Sequence, residues 1–119
     1  MVYVSEHESL AALELLVHLT PLSPNARYLS FRLEWEDKLT EHFPVEGLPP
    51  HWNAEPPTFE TMRIGDDWLR AGKHVALALP SVLSASEINF LLNPKHSDFK
   101  KIKISEPIEF RFDARLSNR

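Results

Sequence analysis

The sequence has no cysteine, few glycines and no long apolar run. With no cysteine in 119 residues, disulfides and thiol catalysis are both excluded. No apolar stretch approaches the ~20 residues that cross a bilayer, so no membrane partner is expected. Residues 1–6 have neither the basic nor the apolar region of a secretory signal. These absences favour a cytoplasmic protein.

The charge balance excludes another class of partner. The net charge is −4, with 13 basic and 17 acidic side chains. A broad phosphate-binding face needs an excess of basic residues, so direct binding to DNA or RNA is not expected. The chain is 43% hydrophobic and 25% charged, and its length fits one globular domain.

Several common sites are also missing. The sequence contains no G-x-G-x-x-G and no Walker lysine, which argues against a Rossmann or P-loop nucleotide site. It contains no G-x-S-x-G, so an esterase nucleophile is not supported. The six histidines include no H-E-x-x-H pair, and there is no cysteine ligand, so no metal is expected.

The first third of the chain predicts a strand, a helix and a strand. Residues 2–4 indicate a short strand, and Ser5 with Glu8 has the spacing of a capping box. Leucines at helical spacing predict a helix from there to about Leu19, because Thr20 precedes a proline. Residues 28–36 alternate with period two, which predicts one continuous strand.

The remainder predicts a loop, a second helix and three strands. Residues 43–57 hold five prolines and indicate an ordered loop or lid. Residues 58–71 indicate a helix, which Gly72 ends in a left-handed conformation. Residues 75–79 form a continuous apolar run, typical of an interior strand. Residues 84–92 are interpreted as a loop with at most one helical turn.

The last two strands are predicted at residues 101–104 and 108–112, where polar and apolar residues alternate. The resulting order is β-α-β-loop-α-β-β-β. Because the strands outnumber the helices and do not alternate regularly with them, the pattern favours an α+β fold.

Three residues are candidates for a functional site, and each also has an ordinary structural interpretation. Glu14 lies among leucines, where desolvation would strengthen its interactions, but periodicity alone favours an exposed helix-face glutamate. Ser81 follows the apolar strand at a position that often lines a site, or it simply ends the strand. Tyr3 fits a half-buried strand tyrosine.

Several segments together resemble the RES-domain toxins, from Tyr3 to Leu116. The matching segments are V-Y-V at 2–4, A-A-L-E-L-L-V-H-L at 11–19, I-G-D-D-W-L at 64–69, L-P-S-V at 79–82, N-F-L-L-N-P-K-H at 89–96 and F-D-A-R-L at 112–116. The resemblance implies an α+β, ADP-ribosyltransferase-like RES domain with a split, mostly antiparallel sheet and a few helices. Residues 1–119 would form that single domain.

The resemblance also implies a site. Glu14 and Ser81 match the glutamate and serine for which the family is named, and both would be catalytic. Ser81 and Tyr3 would bind NAD, which is consumed as a substrate. Three further residues are interpreted as structural groups that hold a loop below the site: Asn89, Asn93 and His96.

The expected function is that of a type II toxin that inhibits growth by cleaving the nicotinamide–ribose bond of NAD, through hydrolysis or phosphorolysis. The expected partner is an Xre-type helix-turn-helix antitoxin. The family's arginine lies in a G-G-R-W-N-type segment that does not occur here, so an N-terminally truncated domain of reduced activity is expected. The alternatives are an ADP-ribosyltransferase acting on a protein or small acceptor, and an inactive remnant that only binds the antitoxin.

Overall fold

A computed structural model describes residues 1–19, 23 and 25–118. Within these residues it has two α-helices, α1 (Glu8–Leu16) and α2 (Phe59–Ala71). The strands are β1 (Val2–Ser5), β2 (Tyr28–Ser30), β3 (Leu33–Glu34), β4 (Thr40–His42), β5 (Ala76–Pro80), β6 (Ile88–Leu92), β7 (Lys103–Ile104) and β8 (Ile108–Phe110). Neither helix is long and apolar enough to cross a membrane.

The strands form one main sheet and two small ribbons. The main sheet has the order β1-β6-β5-β4, and only the β4–β5 pair is parallel. The ribbons pair β2 with β8 and β3 with β7, both antiparallel. The predicted α+β class, with a split and mostly antiparallel sheet, is confirmed.

Two apolar clusters cover the two faces of the main sheet. On one face Leu77 and Leu91 pack against Trp68 of α2. On the other face Ala76 and Leu92 pack with Ile102. Because successive strand residues point to opposite faces, the nearly continuous apolar sequence of β5 matches its position between two strands and two clusters. The predicted interior strand is confirmed.

Helix α2 begins and ends at the residues that the sequence indicates. The hydroxyl of Thr58 accepts a hydrogen bond from the backbone N–H of Thr61, which satisfies one of the free donors of the first turn. Gly72 ends the helix with φ +63°, in the left-handed region that costs glycine little. The predicted helix at 58–71 is therefore confirmed to within one residue.

The prediction of a loop at 84–92 is wrong for its second half. Residues Ile88–Leu92 form β6, which is hydrogen-bonded to both β1 and β5. Asparagine has a low propensity for strands, and the Asn93-Pro94 pair indicated a turn. In the structure this turn begins only after β6. Pairing on both edges outweighs this local preference.

The single strand predicted at 28–36 is in fact two short strands with different partners. The interruption falls at Arg32, whose backbone N–H donates to the Ser105 hydroxyl and whose carbonyl accepts from the Ser105 backbone N–H. A side chain thus replaces one backbone partner, and the chain passes from one ribbon to the other. The predicted strand at 101–104 is shortened to Lys103–Ile104, because residues Ser97–Lys101 form a 3-10 helix.

The predicted capping role of Ser5 is wrong. Ser5 belongs to β1, and the residue that precedes α1 is His7, which makes no side-chain capping bond. The helix ends at Leu16 rather than near Leu19. Thr20, on which the predicted end depended, lies outside the described residues.

Candidate functional site

Glu14 reaches from α1 to the end of the main sheet. Its side chain is half-buried, and its Oε1 atom accepts two hydrogen bonds from distant parts of the chain. One comes from Ser81 Oγ at 2.9 Å and the other from Asn89 Nδ2 at 3.0 Å. The expectation of a merely solvent-facing helix glutamate therefore does not describe this residue.

Ser81 is wholly buried, at the turn that joins β5 to β6. Its hydroxyl donates to Glu14 and accepts from the backbone N–H groups of Leu83 and Ser84, at 3.1 and 3.2 Å. Its own backbone N–H donates to the carbonyl of Glu87 and closes the turn. With one donor and two acceptor positions in use, the hydroxyl is fully committed to protein groups.

Asn89 also belongs to this site, although the sequence predicted only a structural role for it. It lies in β6 directly opposite Ser5 of β1, whose hydroxyl donates to Asn89 Oδ1 at 2.5 Å. The amide nitrogen of Asn89 then donates to Glu14. The available signal was the asparagine itself, a residue that is uncommon in strands and therefore suggests a specific hydrogen bond.

Hydrogen bonds thus link three residues to one carboxylate oxygen of Glu14, two of them directly, and we refer to Ser5, Glu14, Ser81 and Asn89 as the Glu14 network. Every hydroxyl and amide in it donates toward Glu14 Oε1, so the hydrogen bonds polarise one another in the same direction. Among the described residues nothing donates to Glu14 Oε2. The protein therefore fixes one oxygen of this carboxylate.

Tyr3 lies beside this network without joining it. Tyr3 and Ser5 are two residues apart on β1, so their side chains leave the strand on the same face, roughly 7 Å apart along it. The side chain of Tyr3 is 72% exposed. An exposed aromatic ring next to a fixed carboxylate offers a stacking surface for a planar group.

A cleft of about 830 Å³ runs next to the network. Tyr3 and Ser5 border it, but Glu14 and Ser81 do not. Its volume falls in the range of about 300–1,000 Å³ that is usual for ligand sites. Because the hydrogen-bond network is centred on Glu14, we place the candidate site there and describe the cleft as an adjacent surface.

Asn93 and His96 stay outside the network. The Asn93 side chain accepts from the Lys95 backbone N–H at 3.0 Å, and His96 Nδ1 accepts from the Asp98 backbone N–H at 3.0 Å. Both bonds organise the turn that follows β6. The structural interpretation of these two residues is consistent with this geometry.

Three potential metal ligands lie close together near the site. Glu6, His7 and Glu87 each place one ligand atom within 4.8 Å of the others. Two of these side chains already hold the protein together: Glu6 Oε1 accepts from the Ile88 backbone N–H, and Glu87 Oε1 accepts from Ser84 Oγ. These bonds explain the cluster without an ion, and the absence of a metal stays a prediction.

An ion pair away from the site shifts the pKa of its carboxyl group. Near the C-terminus the Arg115 guanidinium donates two hydrogen bonds to the Asp113 carboxylate, at 2.9 Å each. This contact, with a bond from the Arg115 backbone N–H, lowers the pKa of Asp113 below its ordinary value. The pair is exposed and belongs to the F-D-A-R-L segment, so it has no direct bearing on Glu14.

Comparison with known proteins identifies the family. The RES domain matches residues 1–113. A protein named Toxin Res from Yersinia enterocolitica is 36% identical over 116 residues, covering 97% of this chain and 76% of the relative. A Toxin Res from Photorhabdus laumondii is 33% identical, with 97% and 74% coverage. A protein named Prs ADP-ribosylating toxin from Sphingobium is 33% identical over 120 residues, with 98% and 74% coverage. The chain belongs to the RES-domain family.

Proposed function

We propose that this protein is a toxin that cleaves the nicotinamide–ribose bond of NAD, and that Glu14 is its central catalytic residue. The observation that supports this most is the asymmetric environment of Glu14. Ser81 and Asn89 hold Oε1, while Oε2 has no donor among the described residues. A carboxylate that is fixed in this way does not need to reorganise when charge develops near it.

The chemistry requires such a group. When the bond between the ribose C1′ and the nicotinamide nitrogen breaks, the bonding electrons leave with the nicotinamide, which becomes neutral. Positive charge then builds on the ribose, as in glycoside hydrolysis. Glu14 Oε2 would stabilise that charge or hold a ribose hydroxyl. Water or phosphate would add to C1′ and give ADP-ribose or its 1″-phosphate.

The other residues take supporting parts in this proposal. Ser81 and Asn89 position Glu14, since the Ser81 hydroxyl is buried and already committed to three protein groups. This changes the expected part of Ser81 from a direct NAD contact to a positioning group. Tyr3, with its exposed ring on the same face of β1 as Ser5, would stack on the nicotinamide or the adenine.

A second candidate function is ADP-ribosyl transfer to a protein or small acceptor. It is supported by the relative named Prs ADP-ribosylating toxin. The first half of the reaction is the same, because the nicotinamide bond must break in both cases. The two functions differ only in what attacks C1′.

Product analysis separates the two functions. We would incubate the protein with NAD labelled in the adenine ring, in phosphate buffer and in phosphate-free buffer, with and without a bacterial extract. Free labelled ADP-ribose or its phosphate supports degradation, whereas label on a macromolecule supports transfer. Intact NAD in every arm would contradict both.

For a toxin, a cognate antitoxin is the expected partner. The relatives' names place the family among toxins, and an Xre-type antitoxin is our proposal on the resemblance of the sequence. If a helix-turn-helix protein is encoded beside the gene, its co-expression should restore growth and the two proteins should co-purify; growth arrest that persists on co-expression would contradict that pairing.

A further inference from the structure

The cleft beside the Glu14 network has walls of an unusual composition. One wall is α1 and the other is the ribbon of β2 and β8, and Glu8 of α1 accepts a hydrogen bond from Ser30 of β2 at 3.0 Å. Large apolar side chains on the ribbon side are well exposed: Leu29 is 62%, Phe31 49% and Ile108 52% accessible. Exposed apolar side chains that cluster around one concavity are typical of an interaction site.

Helix α1 adds to this apolar surface. Within Glu8–Leu16 only Glu8, Ser9 and Glu14 are polar, so apolar residues occur on every side of the helix. A helix that is apolar all round is normally buried. Here Leu13 and Leu15 remain 41% and 38% exposed, and Leu15 lines the cleft. Leu15 therefore contributes accessible apolar surface to the cleft.

The charged residues of the cleft have mostly one sign. Its carboxylates are Glu6, Glu8, Glu34 and Asp37, against a single guanidinium at Arg32. Four negative charges and one positive charge give a formal charge of −3. This excess of carboxylates favours a basic ligand over the pyrophosphate of a dinucleotide. The cleft is therefore poorly suited to NAD, although it borders Ser5 of the Glu14 network.

We propose that this cleft binds an apolar segment of a partner protein that carries lysines or arginines beside its apolar side chains. The apolar walls would receive the anchors, and the acidic residues at the cleft would face the basic ones, as in recognition of an amphipathic helix in a groove. The segment would contact Ser5, whose hydroxyl bonds Asn89 and through it Glu14. The inference depends on the cleft and not on any NAD chemistry.

The test uses two synthetic peptides of twelve residues with the same pattern of leucines at helical spacing. One has lysine at its polar positions and the other has glutamate. Each is titrated into the 15N-labelled protein, and the amide shifts locate the binding site. We expect the lysine peptide to shift amides of α1, β2 and β8, with an affinity that falls as salt is raised, and the glutamate peptide to bind at least about tenfold more weakly.

Two pairs of variants test the assignment. Phe31→Ser removes an exposed aromatic from the cleft, and its control Phe59→Ser removes one from α2, where Phe59 is 86% exposed. Glu34→Lys reverses a charge at the cleft, and its control Glu60→Lys reverses an exposed charge on α2. We expect about tenfold weaker lysine-peptide binding for Phe31→Ser and a severalfold loss for Glu34→Lys. Both controls should stay within about twofold.

Three results would overturn the proposal. They are equal binding of the two peptides, shifts that map to α2 instead of the cleft, and cleft variants that bind as tightly as their controls. Light scattering of the free protein provides a further check, because a dimer that loses its association in Phe31→Ser would show that the cleft receives a second copy of this chain. Thermal melts of all four variants establish that each is folded before its affinity is compared.

Discussion

Replacing Ser81 with alanine is expected to destabilise the fold as well as the site. The hydroxyl donates to a carboxylate and accepts from two backbone N–H groups, and the residue is 0% exposed. A hydrogen bond to a charged group contributes about 1.5–3 kcal/mol, and a buried donor that loses its acceptor costs about 1–3 kcal/mol. Leu83 is 40% exposed, so water can satisfy its N–H and reduce the total.

We therefore expect Ser81→Ala to lower the free energy of unfolding by about 2–4 kcal/mol, out of the roughly 5–15 kcal/mol that holds a domain folded. With a urea m-value of about 2 kcal/mol/M, the midpoint should fall by about 1–2 M. Urea unfolding followed by circular dichroism measures this shift. The matched control is Ser86→Ala, because Ser86 is exposed in the same turn.

The two variants distinguish a positioning serine from a ligand-binding one. If Ser81 organises the turn and Glu14, its alanine variant loses stability with no NAD present, while Ser86→Ala stays within about 0.5 kcal/mol of the parent. A Ser81→Ala protein as stable as its Ser86→Ala control would refute this reasoning. The serine would then be free to act on a ligand, as the family resemblance implies.

Two further substitutions test the contact of Asn89 with Glu14 and the end of α2. Asn89→Asp keeps the shape but replaces the amide donor, which lies 3.0 Å from Glu14 Oε1, with a carboxylate; we expect a lower urea midpoint at pH 7, because a hydrogen bond is lost and two like charges are brought together, and a midpoint equal to that of the parent would contradict the charge argument. Gly72→Ala should cost about 1 kcal/mol, because an alanine Cβ meets no atom within 4 Å but must adopt φ +63°; an unchanged midpoint would show that α2 ends differently in solution.

Much of the fold could be predicted because its signals are local. Thr58 and Gly72 mark the two ends of α2 through capping chemistry, which depends only on the neighbouring residues. The apolar run of β5 indicates burial on both faces. Where the fold departs from the prediction, a distant partner decides the outcome: Ser105 divides the strand at Arg32, and two neighbouring strands draw Asn89 into β6.

Two residues of the candidate site, Glu14 and Ser81, could be predicted from the sequence, but the hydrogen bonds that connect the site could not. Glu14 and Ser81 were singled out from their surroundings and from the family resemblance, and the structure brings them into direct contact. The residues of that hydrogen bond are 67 positions apart in sequence, so no periodicity could reveal it. Asn89 was treated as part of a loop, and its place in the network depends on the pairing of β1 with β6.

The proposed role of Glu14 is tested by comparing the rate of nicotinamide release from NAD by the parent protein, by Glu14→Gln and by Glu60→Gln. Glutamine keeps the size of Glu14 but removes the negative charge that would stabilise the proposed ribose cation. We expect Glu14→Gln to be slower by about 100- to 1000-fold, which is typical for loss of one electrostatic stabilising group, and Glu60→Gln to match the parent. A folded Glu14→Gln protein that releases nicotinamide at the parent rate would contradict the central role of Glu14.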